Sequence, residues 1–569
     1  MKEDKLNHRL KQLEEINQQG HSWTGIKTLK SKFSPKFCKF KDSHGNRIPI
    51  NQYANKAAEY LDEVQWKKAT ELPAQKPRSL PFPATIDKVK DEPFHIQELD
   101  FVLDKLKDNK TPGPDETTSE LVKWTNNTNR KLLLQNINEM LEDNTKWDTD
   151  LDLANVASIY KKGDSSNLAN YRPISLLQTF YKVVASLVKE RIDAGIDFFI
   201  SETQYGFRHG KSTAQAIYLA RRILDLSERE GSNLSMILLD WEKAFDKIDH
   251  SRLLEALERL GVPSNMLSLI GTIYKEPKFR VKSGGHQSDY KTQCSGIRQG
   301  CPLSPYLFVL VMTVLMKDVK SRLNTKRQNE PINGIHFAEI LYADDTLLFG
   351  PHTQNINSLL KEIQIESNYY NLNLNLTKCI NLTLNQNQTS VKFKNGDLVP
   401  RHKKATYLGI LLTDTNDNHA ELNNRIAETT ATANKLKIFW QKAKTDVKWK
   451  LQVFDAIVRS KLLYGLECVQ LTQVEQDRVD AYQMKGIRRI LNIPPTHIDR
   501  TWTNKLVLEK AANEAGKPIF TFTSSWRRQK FKLLGHLLRT EVFDPLHQVS
   551  FEGDSKFPRI SIRRRVGRP

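Results

Sequence analysis

Cysteine is scarce in this chain: five residues among 569, at Cys38, Cys294, Cys301, Cys379 and Cys468. They make no CxxC pair and no Cys/His cluster with zinc spacing, so neither a disulfide framework nor a structural zinc is expected. Long apolar runs are missing as well. The longest covers residues 306–316, far short of the ~20 residues that span a bilayer, and no membrane partner is expected. The first residues are charged throughout and do not read as a secretory signal. With the scattered thiols, this places the chain inside the cell, in the nucleus or the cytoplasm, and not secreted. Acidic charge is in deficit too: 66 Asp and Glu against 86 Lys and Arg leave a net charge of +20. Such a surplus points to a polyanionic partner, with nucleic acid first. Nothing in the composition speaks to oligomeric state.

The length suits three or four structural units. Residues 1–75 read as basic and helical, with Trp23 and Trp66 as packing anchors. Residues 73–93 are proline-rich and read as a linker. A helix near 96–106 and the turn Thr111-Pro112-Gly113-Pro114-Asp115 follow. From about 150 to 410 helices mix with short apolar strands, and from about 418 to 540 the periodicity is helical. The end of the chain carries Arg563-Arg564-Arg565 and reads as a flexible basic arm or a solvated terminus.

What the chain does have is a pair of adjacent carboxylates in an apolar setting. Tyr342-Ala343-Asp344-Asp345 lies between Ile340-Leu341 and Leu347-Leu348-Phe349, the pattern of strand, tight turn and strand. A plain polar turn would explain Asp there. Two charges about 4 Å apart repel by roughly 4 kcal/mol at an effective dielectric near 20, so in a cleft the pair calls for a cation. A second strand end is acidic too. Met236-Ile237-Leu238-Leu239 is a continuous apolar run that stops at Asp240, and a carboxylate there is costly unless it caps, pairs or binds metal. Asp246 and Asp249 are better placed to cap the helix beginning near Ser251. Asp240, Asp344 and Asp345 thus offer the carboxylates that two Mg²⁺ ions need to bridge an attacking hydroxyl and a leaving phosphate. One motif is a false lead. Residues 206–212, GFRHGKS, look like a phosphate-binding loop, but that loop needs about four residues between its first Gly and the Gly-Lys pair, and here there are three.

Further motifs occur in a set order: Ala157-Ser158-Ile159-Tyr160-Lys161-Lys162-Gly163, Asn170-Tyr171-Arg172-Pro173-Ile174-Ser175-Leu176, Gln204-Tyr205-Gly206-Phe207-Arg208, and Asp240 through Asp246. After these come residues 296–305, GIRQGCPLSP, then the YADD turn, Asn375-Leu376-Thr377-Lys378 and Tyr407-Leu408-Gly409. Together they resemble the reverse transcriptases of non-long-terminal-repeat (LINE-type) retrotransposons. The resemblance implies an α+β right-hand polymerase of fingers, palm and thumb, with a helical N-terminal extension and a helical, basic C-terminal region. The implied boundaries are an N-terminal segment at 1–75, a linker and fingers extension at 76–150, fingers and palm at 151–413, a helical thumb and connector at 414–540, and a flexible basic tail at 541–569.

It also implies RNA-directed DNA synthesis from deoxynucleoside triphosphates on an RNA template, from a DNA primer or target. Asp240, Asp344 and Asp345 would be the metal ligands, for two Mg²⁺ with Mn²⁺ as an alternative, helped by the Trp241 carbonyl. Lys161 or Lys162 and Arg172 would clamp the triphosphate, and Lys378 would protonate the pyrophosphate. Phe245 would lie under the sugar and exclude a 2′-hydroxyl; a core phenylalanine is the competing reading. Gln299 and Gly300 would face the templating base pair. Gly206, Phe207 and Arg208 would touch the template, and Tyr407, Leu408 and Gly409 would form a primer-grip hairpin, with a plain edge strand as the competing reading. No nuclease motif accompanies these, so a fragment, a degenerate copy and nicking done elsewhere stay open. Two rival functions also stay open: an inactive or domesticated copy that only binds nucleic acid, and an intron-maturase-like enzyme.

Overall fold

The computed structural model describes residues 7–8, 11–15, 23–30, 40–41, 45–69, 71–73, 82–323, 332, 334–385 and 390–559. The Arg563-Arg564-Arg565 arm and part of the proline-rich linker lie outside the described residues.

Two sheets organise the middle of the chain. The first opens with β1 (Ala154–Tyr160) and β2 (Tyr171–Leu177), antiparallel in unbroken register from Ala154↔Leu177 to Tyr160↔Tyr171. The central strand of the second is β3 (Leu234–Leu239). The chain then returns to the first sheet, where β4 (Lys278–Ser283) runs parallel to β1, and the short β5 (His286–Gln287) and β6 (Lys291–Thr292) pair with β4. Next come β7 (Glu339–Tyr342), β8 (Asp345–Gly350) and β9 (Ile380–Leu384), which complete the second sheet in the order β7-β8-β3-β9, every pair antiparallel. A separate hairpin joins β10 (Lys404–Tyr407) to β11 (Ile410–Thr413).

The unbroken apolar run of β3 follows from cover on both faces. Leu234 and Met236 pack with Ile217, Ala220 and Leu224 of the helix Thr213–Glu230. Ile237 and Leu239, on the opposite face by the two-residue period, belong to the core that holds the helix Ser304–Leu323. That helix, the longest apolar stretch, is buried from Tyr306 to Met316. No described helix is long and apolar enough to cross a membrane.

The helical C-terminal region has its own core, running from Leu422 to Trp526. The N-terminal segment divides between cores. Ile26 and Leu29 pack into this helical core, where Trp23, half exposed, sets its ring edge-on to Trp449 at 4.8 Å. Phe40, Tyr53, Leu61 and Trp66 instead join the core of the first sheet. The expected flexible tail at 541–569 is corrected by the part described. The helix Pro545–Ser550 returns to the second sheet's core through Leu546 and Val549, and Arg222 Nε donates to the Val549 carbonyl at 3.1 Å. Apolar residues at 546, 549 and 551 suffice to hold it there.

The β10–β11 hairpin is fastened to the helix Asn418–Lys435 by Glu421, a fully buried carboxylate. Glu421 accepts from Arg425 Nε at 2.6 Å and from the Leu411 amide at 2.7 Å, with Arg221 at 3.8 Å. Glu421→Ala strips this acceptor from two buried guanidinium groups. The expected loss is about 3–5 kcal/mol of stability, read by chemical denaturation; a loss near zero would mean that water replaces the carboxylate.

Candidate functional site: an acidic palm floor

The second sheet brings the separated carboxylates together. The β3–β8 register ends at Leu239↔Thr346, and the β7–β8 hairpin closes at Tyr342↔Asp345. Continuing the first register by one step places Asp240 opposite Asp345. Ala343 and Asp344 are then the two central residues of the turn, and Ala343 takes a φ of 54. An alanine pays strain for this, and its surroundings over-determine it. Gln204 Oε1 accepts the Ala343 amide at 2.9 Å and the Gly206 amide at 2.8 Å. The Leu341 amide donates to the Thr203 carbonyl at 2.9 Å, and the Tyr205 amide to the Leu341 carbonyl at 2.8 Å. Gly206 lies so close that an added Cβ would stand 2.3 Å from the Ala343 nitrogen.

The other wall comes from residues 373–379. The Asn375 amide donates to the Asp240 carbonyl at 2.8 Å, and the Glu242 amide to the Asn373 carbonyl at 2.8 Å. This pairing uses the Asp240 carbonyl and the Glu242 amide, on either side of Trp241, and leaves the Trp241 carbonyl outside it. The Trp241 indole N–H donates to Thr346 Oγ1 at 3.1 Å, and the Asp240 amide to Cys379 Sγ at 3.5 Å. Lys378 Nζ lies 3.7 Å from Asp240 Oδ2, with both side chains well exposed.

The electrostatics follow from this crowding. Asp344 and Asp345 reach solvent at the turn but are walled by protein on their other sides. Burial pushes the Asp345 carboxyl up to about 6, with repulsion from Asp344 and Asp240 adding to it and Lys161 opposing. Burial also pushes Asp344 up, against the pull of Lys161 and Arg172. These two cations face the acidic turn from the β1–β2 hairpin. Arg172 is paired with Ile159, and the Lys161 amide donates to the Asn170 carbonyl at 2.9 Å, so the two-residue period sets Lys161 and Arg172 on one face. Lys162 falls on the other. Of the two lysines expected at a triphosphate, Lys161 is the one aligned with Arg172.

Among the described residues no three Asp, Glu, His or Cys side chains close into a ready-made metal cluster. The oxygen donors present still suit a hard divalent cation, which takes a few carboxylates and completes its shell with water and phosphate. A carboxyl raised by its like-charged neighbours is also one that a cation relieves.

Several expected contacts are placed differently. Arg208 is buried, with its guanidinium committed to Asp197 at 2.9 and 3.0 Å and to the Ser201 carbonyl at 2.9 Å. It braces the loop. Gly206 likewise serves the turn, while Phe207 is half exposed. Gln299 donates its amide nitrogen to Asp246 at 3.0 Å. Gly300, with φ 130, sits where a Cβ would meet the Ser175 carbonyl at 2.3 Å, and the Ser175 amide donates to the Gln299 carbonyl at 2.7 Å. Phe245 is half-buried: its ring stacks on Phe308 at 4.6 Å and meets Phe207 edge-on at 6.3 Å. Tyr407 is buried and supports the hairpin from within, with its phenol pushed up by burial and by Asp345. Leu408 and Gly409 make the turn, whose carbonyls accept from the Tyr464 hydroxyl at 2.9 Å and from Arg425. Asp249 caps the helix His250–Arg259. Asp246 does not cap, and neither its role nor that of Gln204 was read from the sequence, where only the motif spacing marked them.

With this geometry, residues 159–412 match the family described as Reverse transcriptase (RNA-dependent DNA polymerase), whose members use divalent metal ions. The chain is 25% identical over 438 residues to a Xenopus laevis protein named Transposon TX1 uncharacterized 149 kDa protein, covering 76% of this chain and 32% of that one. It is 24% identical over 421 residues to the Drosophila melanogaster RNA-directed DNA polymerase from mobile element jockey, covering 70% and 44%. It thus spans less than half the length of either relative. The RNA-dependent RNA polymerase of a human picobirnavirus superposes with a TM-score of 0.44 at 11% identity, and a telomerase of Candida tropicalis with a TM-score of 0.36 at 13% identity. The picobirnavirus enzyme covers 92% of this chain and 87% of its own, the telomerase 47% and 55%.

A carboxyl raised on folding withdraws stability as pH climbs from its unfolded value, about 3.9, through its folded one. In metal-free protein Asp345→Asn therefore raises Tm at pH 7.5 and leaves it nearly unchanged at about pH 3, where the native carboxyl is protonated in the folded state and largely so in the unfolded one. An unchanged Tm at pH 7.5, by differential scanning fluorimetry, would show that the native charge is not strained.

Proposed function

We propose, from the premise that this chain carries a reverse transcriptase domain similar to those of non-long-terminal-repeat retrotransposon polymerases, that it extends a DNA primer on an RNA template with deoxynucleoside triphosphates. One observation carries this reading: Asp240, at the end of the central β3, stands across from Asp345 and beside Asp344, and two cations from a separate sheet face the same turn.

Asp240 and Asp344 would hold two Mg²⁺ ions, with Mn²⁺ as an alternative, helped by Asp345 and the Trp241 carbonyl, and the ions would supply the positive charge that offsets charge developing on the reacting oxygens. Arg172 offers a planar fork to phosphate oxygens, and Lys161 adds a point charge from the same face. Lys378, exposed beside Asp240, is placed to give its proton to the departing pyrophosphate. Phe245 is fixed from behind by Phe308, so the ring can be both a packed residue and a hard floor under the sugar. The Leu408-Gly409 turn guides the primer. The site works inside the cell, where template and nucleotides are found.

Primer extension on an RNA template tests the reading. The wild-type protein extends the primer, and Asp344→Ala loses about three orders of magnitude or more. An inactive wild type, or an unaffected variant, would refute polymerisation at this site. Phe245→Ala raises ribonucleotide incorporation relative to deoxynucleotide by roughly tenfold or more; an unchanged ratio in competition assays would leave Phe245 a packing residue only.

A further inference from the structure

Asp246 is enclosed on all sides, yet it is the meeting point of three distant segments. Its Oδ1 accepts from the Trp66 indole N–H at 3.1 Å and from Gln299 Nε2 at 3.0 Å. Its Oδ2 accepts from Gln65 Nε2 at 3.0 Å and again from Gln299 Nε2 at 3.2 Å. Burial pushes this carboxyl up, while the Trp66 donor, Lys243, Gln65 and Gln299 pull it down.

The partners dictate one another's orientation. An ionised carboxylate only accepts and an ammonium only donates. Lys243 Nζ donates to Gln65 Oε1 at 3.1 Å and to the Tyr60 hydroxyl at 2.8 Å, so Gln65 must turn its amide nitrogen to Asp246. Gln299 must do the same, which leaves its Oε1 directed away from the carboxylate. Among the described residues nothing donates to that oxygen. The Gln299 backbone is pinned separately, through its carbonyl to Ser175, and the Ile297 amide donates to the Phe245 carbonyl at 2.7 Å. Among the described residues only Asp246 hydrogen-bonds the side chain. Trp66 cannot slip, since it is fully buried with its ring edge-on to Phe279 of β4 at 4.6 Å.

We propose that Asp246 is a positioning residue: it fixes which end of the Gln299 amide faces the nucleotide site, and it makes that orientation depend on the docking of residues 60–66 through Gln65 and Trp66. This rests on the polymerase reading above and on the resemblance's expectation that Gln299 faces the templating base pair. The N-terminal segment is then part of the site's selectivity, acting from a sequence distance of about 180 residues.

The test is a double-substitution cycle in primer extension. Trp66→Phe removes one N–H and keeps the ring. It is expected to raise nucleotide KM about tenfold, the equivalent of one hydrogen bond to a charged group, with kcat little changed. In a Gln299→Ala background the same substitution is expected to change KM by less than twofold, because the amide it orients is gone. Asp246→Asn should behave like Trp66→Phe; if it fails to fold, Trp66→Phe still decides. A merely structural role would lower kcat through the active fraction, or act equally in both backgrounds, and either result overturns the proposal. Hydrogen exchange at residues 296–300 needs no activity. Trp66→Phe should speed it, and unchanged exchange overturns the coupling even if the protein proves not to be a polymerase.

Discussion

Like-charge repulsion among Asp240, Asp344 and Asp345 is the constraint around which the middle of the molecule is built. Left to themselves, three carboxylates at two chain ends would splay apart. They stay because each is fixed by backbone. Asp240 is clasped between the β3–β8 register and the Asn375 amide, and the Tyr342–Asp345 turn is held by Gln204 and by the close approach of Gly206. The sheet pays for this arrangement through the apolar cover on both faces of β3. Burial, with Asp344 and Asp240 adding to it, raises the Asp345 carboxyl, so the ionised turn carries a strain that a nearby positive charge relieves.

The basic surplus is distributed with some economy around that floor. Lys161 and Arg172 face the acidic turn from the β1–β2 hairpin, whereas other cations are consumed by the fold. Arg208, Arg191 and Arg425 are buried and committed to Asp197, Glu98 and Glu421. The count of 86 Lys and Arg therefore overstates the cations available to a polyanion. What counts is which of them lack a carboxylate of their own, and that is decided by packing.

Much of the architecture was legible in the chain. The apolar run ending at Asp240 marked a central strand, because only a strand covered on both faces tolerates Met, Ile and Leu at successive positions. The YADD turn was readable from its flanking strands, and the helical region after residue 418 from its periodicity. Other residues show what a motif leaves open. Arg208, Gly206 and Tyr407 lie in recognisable motifs, but a motif marks where a residue is constrained without saying whether a ligand or a neighbouring loop imposes the constraint. The tail read as flexible from its basic end, yet Leu546, Val549 and Phe551 join the second sheet's core and the Val549 carbonyl accepts from Arg222.

Local pattern alone determined the strand, the turn, the helices and the residue types of the acidic floor, since each depends on periodicity or on the chemistry of neighbours a few positions apart. Tertiary structure decided which carboxylates meet, that Lys161 and not Lys162 joins Arg172, and that Asp246 gathers Gln65, Trp66 and Gln299. Those outcomes rest on sheet register and on hydrogen-bond direction across 50 to 180 residues, and a one-residue shift in register would reverse them without altering any local propensity.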